Sequence, residues 1–231
     1  MKQRMNPPWK ALIFDWDGTL MDSEARIVAC LREASLHQGL TDQHDEAYKN
    51  VIGLGLREAL RALHPAQSDD IIEQLATEYR LRYLETNSTP SSLFAGVPDM
   101  LQTLENAGYW LAIATGKGRE GLNQVLQQTG LQQRFHVTRC ASETRSKPHP
   151  QMLEEILDQL GLHAAEALMI GDTEYDMEMA NNIGMAALAV SYGVHSPERL
   201  MTHQPIGCLH NIAQLPEFLR RYTTTLRATS N

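Results

Sequence analysis

A short apolar run that ends in two carboxylates constrains this chain more than any other part of its sequence. Residues Ala11–Phe14 are continuously apolar, and Asp15 and Asp17 follow at once. This pattern predicts a strand that is buried on both faces of a sheet. Ligands of open parallel sheets bind beyond the carboxyl ends of the strands, so two acids here indicate a site. The alternative is an ordinary strand followed by an Asp-Gly turn at Gly18.

Between residues 21 and 92 the sequence predicts helices only. Apolar side chains recur there at intervals of three and four residues, as on the buried face of a helix. Residues 87–92 have the Ser/Thr/Pro composition of a linker. We therefore expect an all-helical insert. Its predicted helices are one capped by Asp22 or Ser23 and ending near Leu36, one from Thr41 to about Gly53, one through Leu56, Leu60 and Leu63, and one capped by Ser68.

Strands and helices alternate in the rest of the chain. Short apolar runs are separated by amphipathic stretches that end at glycines, for example Gly108 and Gly161. This alternation predicts an α/β fold whose core is a Rossmann-like parallel sheet, covered by helices on both faces. Residues 1–20 and 93–231 would form this core domain, and residues 21–92 an inserted helical cap domain. The further predicted strands are 110–114, 137–140, 167–170, 186–190 and 208–212.

Charge and cysteine content exclude several classes of function. A formal net charge of −8 opposes binding of nucleic acid through a basic surface. No run reaches the roughly 18 apolar residues of a membrane span, and the N-terminus lacks the apolar region of a secretory signal. The widely spaced Cys30, Cys140 and Cys208 make neither a disulfide framework nor a thiolate metal site. We expect a cytoplasmic monomer or homodimer with no nucleic-acid or membrane partner.

Two further motifs carry groups that can bind phosphate. Thr115 and Gly116 follow the predicted strand 110–114, and a hydroxyl beside turn N–H groups can hold phosphate oxygens. A cap for the next helix is the alternative role of Thr115. Lys147 lies among turn residues and prolines in Ser-Lys-Pro-His-Pro, which would hold its ammonium in place. A solvated loop lysine is the alternative, and we interpret His149 as a bystander.

A fourth motif places two acids after the predicted strand 167–170. Asp172 and Asp176 are four residues apart, and carboxylates of this kind suit a hard cation such as Mg²⁺. Asp172 would meet Asp15 at the same edge of the sheet. Asp176 would act from behind the ligands or serve as a helix N-cap, and the two roles are compatible. We expect Glu174 to face solvent.

These four motifs together resemble those of the haloacid dehalogenase-like (HAD) hydrolase superfamily. The resemblance rests on Asp-x-Asp-Gly-Thr at residues 15–19, the strand ending in Thr115, Lys-Pro-x-Pro at residues 147–150 and Gly-Asp-x-x-x-Asp at residues 171–176. All four occur in the order of the superfamily, and the resemblance covers nearly the whole chain. The helical insert resembles a C1-type cap, and the chain as a whole is similar to the phosphoglycolate phosphatase-like group.

The resemblance implies a Mg²⁺-dependent phosphatase that acts on a small phosphorylated metabolite through an aspartyl-phosphate. Asp15 would be the nucleophile, and Asp17 the general acid and base. The presence of Asp17 favours phosphate chemistry, because carbon–halogen cleavage releases a halide that needs no proton. The remaining implied roles are phosphate binding by Thr115, Gly116 and Lys147, metal binding by Asp15, Asp172 and the backbone carbonyl of Asp17, and orientation of a metal water or of Lys147 by Asp176.

The resemblance leaves the substrate and part of the function open. The substrate candidates are phosphoglycolate, a sugar phosphate, a nucleotide and pyrophosphate. Arg57 follows a Gly-Leu-Gly turn in the insert and would touch the variable part of the substrate, although a plain surface arginine is the alternative. The alternative functions are a phosphomutase of the β-phosphoglucomutase type and a non-catalytic HAD-fold binding protein.

Overall fold

The computed structural model describes residues 9–228, with side chains as far as Tyr222. Its centre is a six-stranded sheet in which every neighbouring pair of strands is parallel. The strand order is β5-β4-β1-β6-β7-β8. The predicted α/β class with a Rossmann-like parallel sheet is thereby confirmed. These strands are β1 (Ala11–Phe14), β4 (Trp110–Thr115), β5 (Val137–Cys140), β6 (Ala167–Gly171), β7 (Ala186–Val190) and β8 (Cys208–Leu209).

The register of the central strands sets the position of the polar residues that follow them. Phe14 of β1 lies opposite Ile113 of β4 and Ile170 of β6. The three strands therefore end at almost the same level, although they are separated by about a hundred and then fifty residues of chain. The side chains that come directly after these strands must meet at one edge.

Alternation along the strands sends their side chains into two separate cores. Leu12 and Phe14 belong to a core with helices α5, α6 and α10, whereas Ala11 and Ile13 belong to the opposite core with α7, α8 and α9. Both faces of the sheet are thus covered, as the continuous apolar strands predict. The bounds are α5 (Val97–Ala107), α6 (Arg119–Thr129), α7 (Gln151–Leu160), α8 (Glu174–Asn181), α9 (Pro197–Met201) and α10 (Leu215–Ala228).

The predicted insert is helical and has an apolar core of its own. Residues such as Leu31, Tyr48, Leu60 and Leu75 pack together in it, apart from the two cores of the sheet. We call residues 24–86 the helical segment. Its standing as a separate cap domain stays a prediction. Its elements are α1 (Glu24–His37), α2 (Asp45–Asn50), α3 (Leu56–Leu63), α4 (Asp69–Leu81) and a π-helical turn (Arg82–Thr86).

The prediction of no strand between residues 21 and 92 was wrong at both ends. Strand β2 (Met21–Asp22) pairs antiparallel with β3 (Ser92–Leu93), so the two linkers are joined to each other. The pair is too short for alternation to be read from the sequence. The two chain crossings between sheet and helical segment therefore lie side by side.

Three smaller features also differ from the sequence predictions. The second helix begins at Asp45 rather than near Thr41, and Ser23 stands at the N-cap position of α1 without a side-chain cap bond. By contrast, Ser68 caps α4 as predicted, because its Oγ accepts a hydrogen bond from the N–H of Ile71. Helix α9 was not predicted, since its five residues hold only one buried side chain, Leu200.

Two expectations about the whole chain can be compared with the structure. Cys30, Cys140 and Cys208 are free thiols, as their spacing predicts. Within residues 9–228, no helix is both long enough and apolar enough to cross a membrane.

Candidate active site

A buried lysine joins the first and the fourth motif. The Nζ atom of Lys147 lies 2.9 Å from Oδ1 of Asp15 and 2.6 Å from Oδ1 of Asp176. All three side chains are almost completely buried, so the alternative of a solvated loop lysine is wrong. Burial by itself would lower the pKa of Lys147, but the two carboxylates outweigh this and hold the pKa above its usual value.

The two oxygens of Asp15 have different surroundings. Oδ1 accepts from the N–H of Trp16 at 2.6 Å and faces Lys147, whereas Oδ2 is buried and has no partner among the described residues. Burial raises the pKa of Asp15 well above its usual value, and the ammonium of Lys147 opposes this only in part. One oxygen is therefore held in place while the other stays available for a ligand.

Asp172 is enclosed by backbone on two sides. Its Oδ1 accepts from the hydroxyl of Thr19 at 2.7 Å, and its Oδ2 from the N–H of Val194 at 2.9 Å. A Cβ at Gly18 or Gly193 would overlap its carboxylate, so only glycine permits this close approach. Burial, and after it the carboxylate of Asp176, raise the pKa of Asp172 to about 7.

The carboxylate of Asp176 binds both a neighbouring residue and a lysine that is distant in the chain. Thr173 is the N-cap of α8, and Oδ2 of Asp176 accepts from both the N–H (3.1 Å) and the hydroxyl (2.7 Å) of Thr173. Asp176 is thus the third residue of a capping box and not the N-cap itself. Its other oxygen binds Lys147. The role of Asp176 in orienting the lysine stays a prediction.

The acidic cluster has the composition of a site for a hard divalent cation. Carboxylate oxygens of Asp15, Asp172 and Asp176 lie within 4.8 Å of one another. Three buried carboxylates face one ammonium, which leaves excess negative charge without solvent to screen it. Burial is the main cause of the raised pKa values of Asp15 and Asp172, and the neighbouring carboxylates add to it. Oδ2 of Asp15 is buried and has no hydrogen-bond partner among the described residues. The residues present therefore fit Mg²⁺, which prefers oxygen ligands.

Asp17 belongs to a second network beside this cluster. Its Oδ1 accepts from the hydroxyl of Ser23 at 2.5 Å and lies 3.0 Å from Nζ of Lys117. Lys117 is nearly buried and also reaches the hydroxyl of Tyr83 at 2.6 Å. Burial works against the charge of Lys117, but Asp17 and Tyr83 keep its pKa above the usual value.

Thr115 and Gly116 form the turn that closes this edge of the sheet. Thr115 is buried, and its Oγ1 accepts from the N–H of Lys117 at 3.2 Å. The N-cap of α6 is Gly118, so the alternative role of Thr115 as the cap of that helix is wrong. A Cβ at Gly116 would collide with the carbonyl oxygen of Leu54, which shows how closely the helical segment approaches the turn.

A cavity of about 520 Å³ lies between the sheet edge and the helical segment. Asp15, Asp17 and Gly116 line it from the sheet edge, and apolar side chains of the helical segment line much of the rest. Arg57 also lines it, but its Nε is paired with Glu73 at 2.7 Å. Arg57 therefore lines the cavity while its guanidinium is bound to a carboxylate, and its contact with substrate stays a prediction.

The sequence predicted neither the network around Asp17 nor the ion pair of Glu174. Ser23 was expected only as a helix cap and Lys117 was not singled out, because neither residue type signals a buried partner. Glu174 does not simply face solvent, since it forms a bidentate pair with Arg199. His149 is hydrogen-bonded to the side chain of Arg145 and to the N–H of Gln151 rather than to the acidic cluster, in keeping with a bystander.

Comparison with known proteins decides the family. A profile described as haloacid dehalogenase-like hydrolase matches residues 12–190, which span all four motifs and the helical segment. The chain belongs to the haloacid dehalogenase-like hydrolases. The predicted superfamily is thereby confirmed.

Two relatives are similar to this HAD-like hydrolase over most of its length, and one crystal structure shares its fold. The N-acetylmuramic acid 6-phosphate phosphatase of Pseudomonas aeruginosa is 31% identical over 84% of this chain and 87% of its own. The phosphoglycolate phosphatase of Vibrio vulnificus is 29% identical over 89% and 94%. The crystal structure of a predicted phosphoglycolate phosphatase from Haemophilus somnus shares the fold, with a TM-score of 0.83 over 91% and 98% at 21% identity. The prediction of a HAD-like phosphatase similar to the phosphoglycolate phosphatase group is confirmed.

Proposed function

We propose that this HAD-like hydrolase is a Mg²⁺-dependent phosphatase that releases phosphate from a small metabolite through an aspartyl-phosphate on Asp15. The observation that carries the proposal is the asymmetric environment of Asp15. Lys147 and a backbone N–H fix its Oδ1, its Oδ2 has no partner among the described residues, and the residue lines the cavity. A fixed carboxylate with a free oxygen has the geometry of a nucleophile.

In the first step a carboxylate oxygen of Asp15 attacks the phosphorus atom of the substrate. The new O–P bond forms as the bond from phosphorus to the leaving oxygen breaks. Asp17 donates its proton to that leaving oxygen, so a neutral alcohol departs. Thr115, the N–H groups around Gly116 and the ammonium of Lys147 hold the phosphoryl oxygens.

In the second step water attacks the phosphorus atom of the aspartyl-phosphate. Asp17, now a carboxylate, accepts a proton from this water, and the bond between phosphorus and Asp15 breaks. Inorganic phosphate leaves and Asp15 returns to its starting form. One residue can therefore serve as acid and then as base, because the first step leaves it in the state that the second requires.

The residues that would hold Mg²⁺ are Asp15, Asp172 and the backbone carbonyl of Asp17. The bound ion would lower the repulsion between the anionic phosphate and the carboxylates. Asp176 stays behind these ligands and holds Lys147, to which it is hydrogen-bonded at 2.6 Å. Thr19 and the N–H of Val194 fix the carboxylate of Asp172 in the same way.

We propose a small phosphorylated metabolite as the substrate: a phosphoglycolate-like ester, a sugar phosphate or a nucleotide. The names of the two relatives support the first two classes. The mixed lining of the cavity, with apolar residues such as Leu31 and charged ones such as Arg57, is compatible with each class. A monomeric or homodimeric state and a cytoplasmic location stay predictions.

Release of phosphate from a panel of metabolite esters, with and without Mg²⁺, tests the proposal. We expect multiple turnovers that stop in EDTA and resume when Mg²⁺ is added. A requirement for a bisphosphate activator, with transfer rather than release of phosphate, would favour the phosphomutase alternative. Binding of esters without any turnover would favour the non-catalytic alternative. Full activity after rigorous removal of metal would contradict the role of Mg²⁺.

A further inference from the structure

A chain of three buried groups leads from the helical segment to the proposed acid. The hydroxyl of Tyr83 lies 2.6 Å from Nζ of Lys117, and this Nζ lies 3.0 Å from Oδ1 of Asp17. The three residues are 4%, 9% and 7% exposed. A buried ammonium needs close acceptors, and these two oxygens supply them.

Each member of the chain comes from a different part of the fold. Asp17 follows β1, Lys117 follows β4, and Tyr83 belongs to the π-helical turn that ends the helical segment. π-Helical turns are rare in proteins, and those that occur are often found at functional sites. The ring of Tyr83 is held as well, because the Nζ of Lys117 and the guanidinium of Arg26 lie 4.2 Å and 4.9 Å from its centroid.

The two oxygens of Asp17 are distinguished by this arrangement. Oδ1 takes both the hydroxyl of Ser23 and the ammonium of Lys117, and Oδ2 has no hydrogen-bond partner within residues 9–228. Asp17 lines the cavity, so solvent or substrate can reach it. Asp15 shows the same division, with Oδ1 bound by Lys147 and Oδ2 without a hydrogen-bond partner among the described residues. Each proposed reacting carboxylate is thus oriented by one lysine through one oxygen.

We propose that Lys117 and Tyr83 are positioning residues that aim the free oxygen of Asp17 at the leaving group. Lys117 does this directly, and Tyr83 does it by holding Lys117 from the helical segment. The inference rests on the proposed phosphatase function and adds two residues to it. It also links the place of the helical segment to the alignment of Asp17, since Tyr83 reaches Lys117 only when the segment lies over the sheet edge.

Loss of this alignment affects substrates unequally. An ester with a basic leaving oxygen needs the proton of Asp17, whereas 4-nitrophenolate is a stable anion and departs without one. Phenyl phosphate has nearly the same size but releases a phenol with the pKa of tyrosine, about 10. The ratio of kcat/KM for these two esters therefore reports how well Asp17 donates its proton. A residue with a merely structural role would change both values alike.

The test compares Tyr83→Phe and Lys117→Met with the wild type on phenyl phosphate and 4-nitrophenyl phosphate, with Mg²⁺ present. Tyr83→Phe keeps the ring and removes only the hydroxyl. We expect it to lower kcat/KM for phenyl phosphate about 10-fold, and for 4-nitrophenyl phosphate less than about 3-fold. Lys117→Met is expected to lower the phenyl phosphate value about 100-fold, with a loss at least about ten times smaller for the nitrophenyl ester. The use of kcat/KM confines the comparison to the step that forms the aspartyl-phosphate.

Tyr48→Phe is the matched control for the hydroxyl. Tyr48 is also buried in the helical segment, but its hydroxyl binds Asp42 and lies outside the cavity lining. We expect the ratio of the two kcat/KM values to stay at the wild-type level in this variant. Equal losses on both esters in Tyr83→Phe and Lys117→Met, or no loss, would overturn the inference and leave the phosphatase proposal standing. Failure of the wild type to release phosphate from these two esters and from the panel of metabolite esters would overturn both.

Discussion

Nζ of Lys147 lies 2.9 Å from Oδ1 of Asp15, inside a cluster where neither side chain is more than 1% exposed. The two residues are 132 positions apart in the chain, and the pair is completed by Asp176. A buried ion pair of this kind is seldom kept for stability alone, because its desolvation offsets most of the attraction. The geometric result of the pair is a fixed orientation of Asp15, whose Oδ1 is held by Lys147 and by the N–H of Trp16.

Asp15→Asn is expected to abolish turnover while the protein stays folded. The amide has almost the same shape as the carboxylate, but it cannot form the aspartyl-phosphate, so kcat should fall by roughly 10³-fold or more. Phosphate release and circular dichroism of the variant are the two measurements. Substantial activity with an unchanged spectrum would mean that Asp15 is not the nucleophile.

Mg²⁺ is expected to raise the melting temperature of the wild type. Binding to the folded state at 100 times Kd stabilises by about 2.7 kcal/mol, or about 5–10 °C for a chain of this size. Asp172→Asn should remove most of this shift, because it deletes one proposed ligand. Asp158→Asn, a matched change at an exposed position of α7, should keep the shift. An equal shift in wild type and Asp172→Asn would place the ion elsewhere.

Arg57→Ala is expected to change which ester is preferred. Its pair with Glu73 is more than half exposed on the arginine side, so the variant should lose no more than about 1 kcal/mol of stability. We expect kcat/KM to fall for esters with an anionic leaving group and to change little for 4-nitrophenyl phosphate. Glu73→Gln should have the opposite effect on the anionic esters, because it frees the guanidinium. A uniform loss over the panel would assign Arg57 to structure or to general phosphate binding.

The helical segment is expected to close as a body when the site is filled. Two hydrogen bonds hold residues 50–55 of this segment to the core. The N–H of Gly55 donates to Oγ of Ser146 (2.7 Å), and the hydroxyl of Tyr175 donates to the carbonyl oxygen of Asn50 (2.6 Å). Orthovanadate with Mg²⁺ should slow hydrogen exchange of residues 50–55, since a filled site favours the closed arrangement. Tyr175→Phe should speed exchange there in the free enzyme. Exchange rates that respond to neither change would argue against this motion.

His64 is expected to make stability depend on pH. It is buried, its Nε2 lies 2.9 Å from Ser35 Oγ, and burial lowers its pKa. The unfolded chain therefore binds a proton near pH 6.5 while the folded chain does not. The free energy of unfolding should fall as pH drops from 7.5 to 5.5, by no more than about 1.4 kcal/mol per pH unit from this group. His64→Gln, whose amide can replace Nε2, should show a shallower slope in denaturant titrations, and an equal slope would contradict the prediction.

The sequence by itself determined the class of the fold and the residues at its strand ends. Continuous apolar runs such as Ala11–Phe14 identify strands buried on both faces, and the polar residues after them identify one edge of a parallel sheet. Both signals are local, because each depends on a few neighbouring residues and on the geometry of one strand. For the same reason Asp15, Thr115 and Asp172 could be assigned to a common edge before their contacts were known.

Only the tertiary structure decided which side chains bind one another. The sequence singles out Lys147 by the prolines around it but does not identify its partners, and Lys117 carries no signal of its own. In the fold, Lys147 is bound to Asp15 and Asp176, and Lys117 to Asp17 and Tyr83. These pairs depend on the strand order and on how the helical segment lies over the sheet. Neither is encoded in local periodicity, since both result from the packing of surfaces far apart in the chain. The attraction between each buried ammonium and its carboxylates is strong because water is excluded from them. Water is excluded only in the folded molecule.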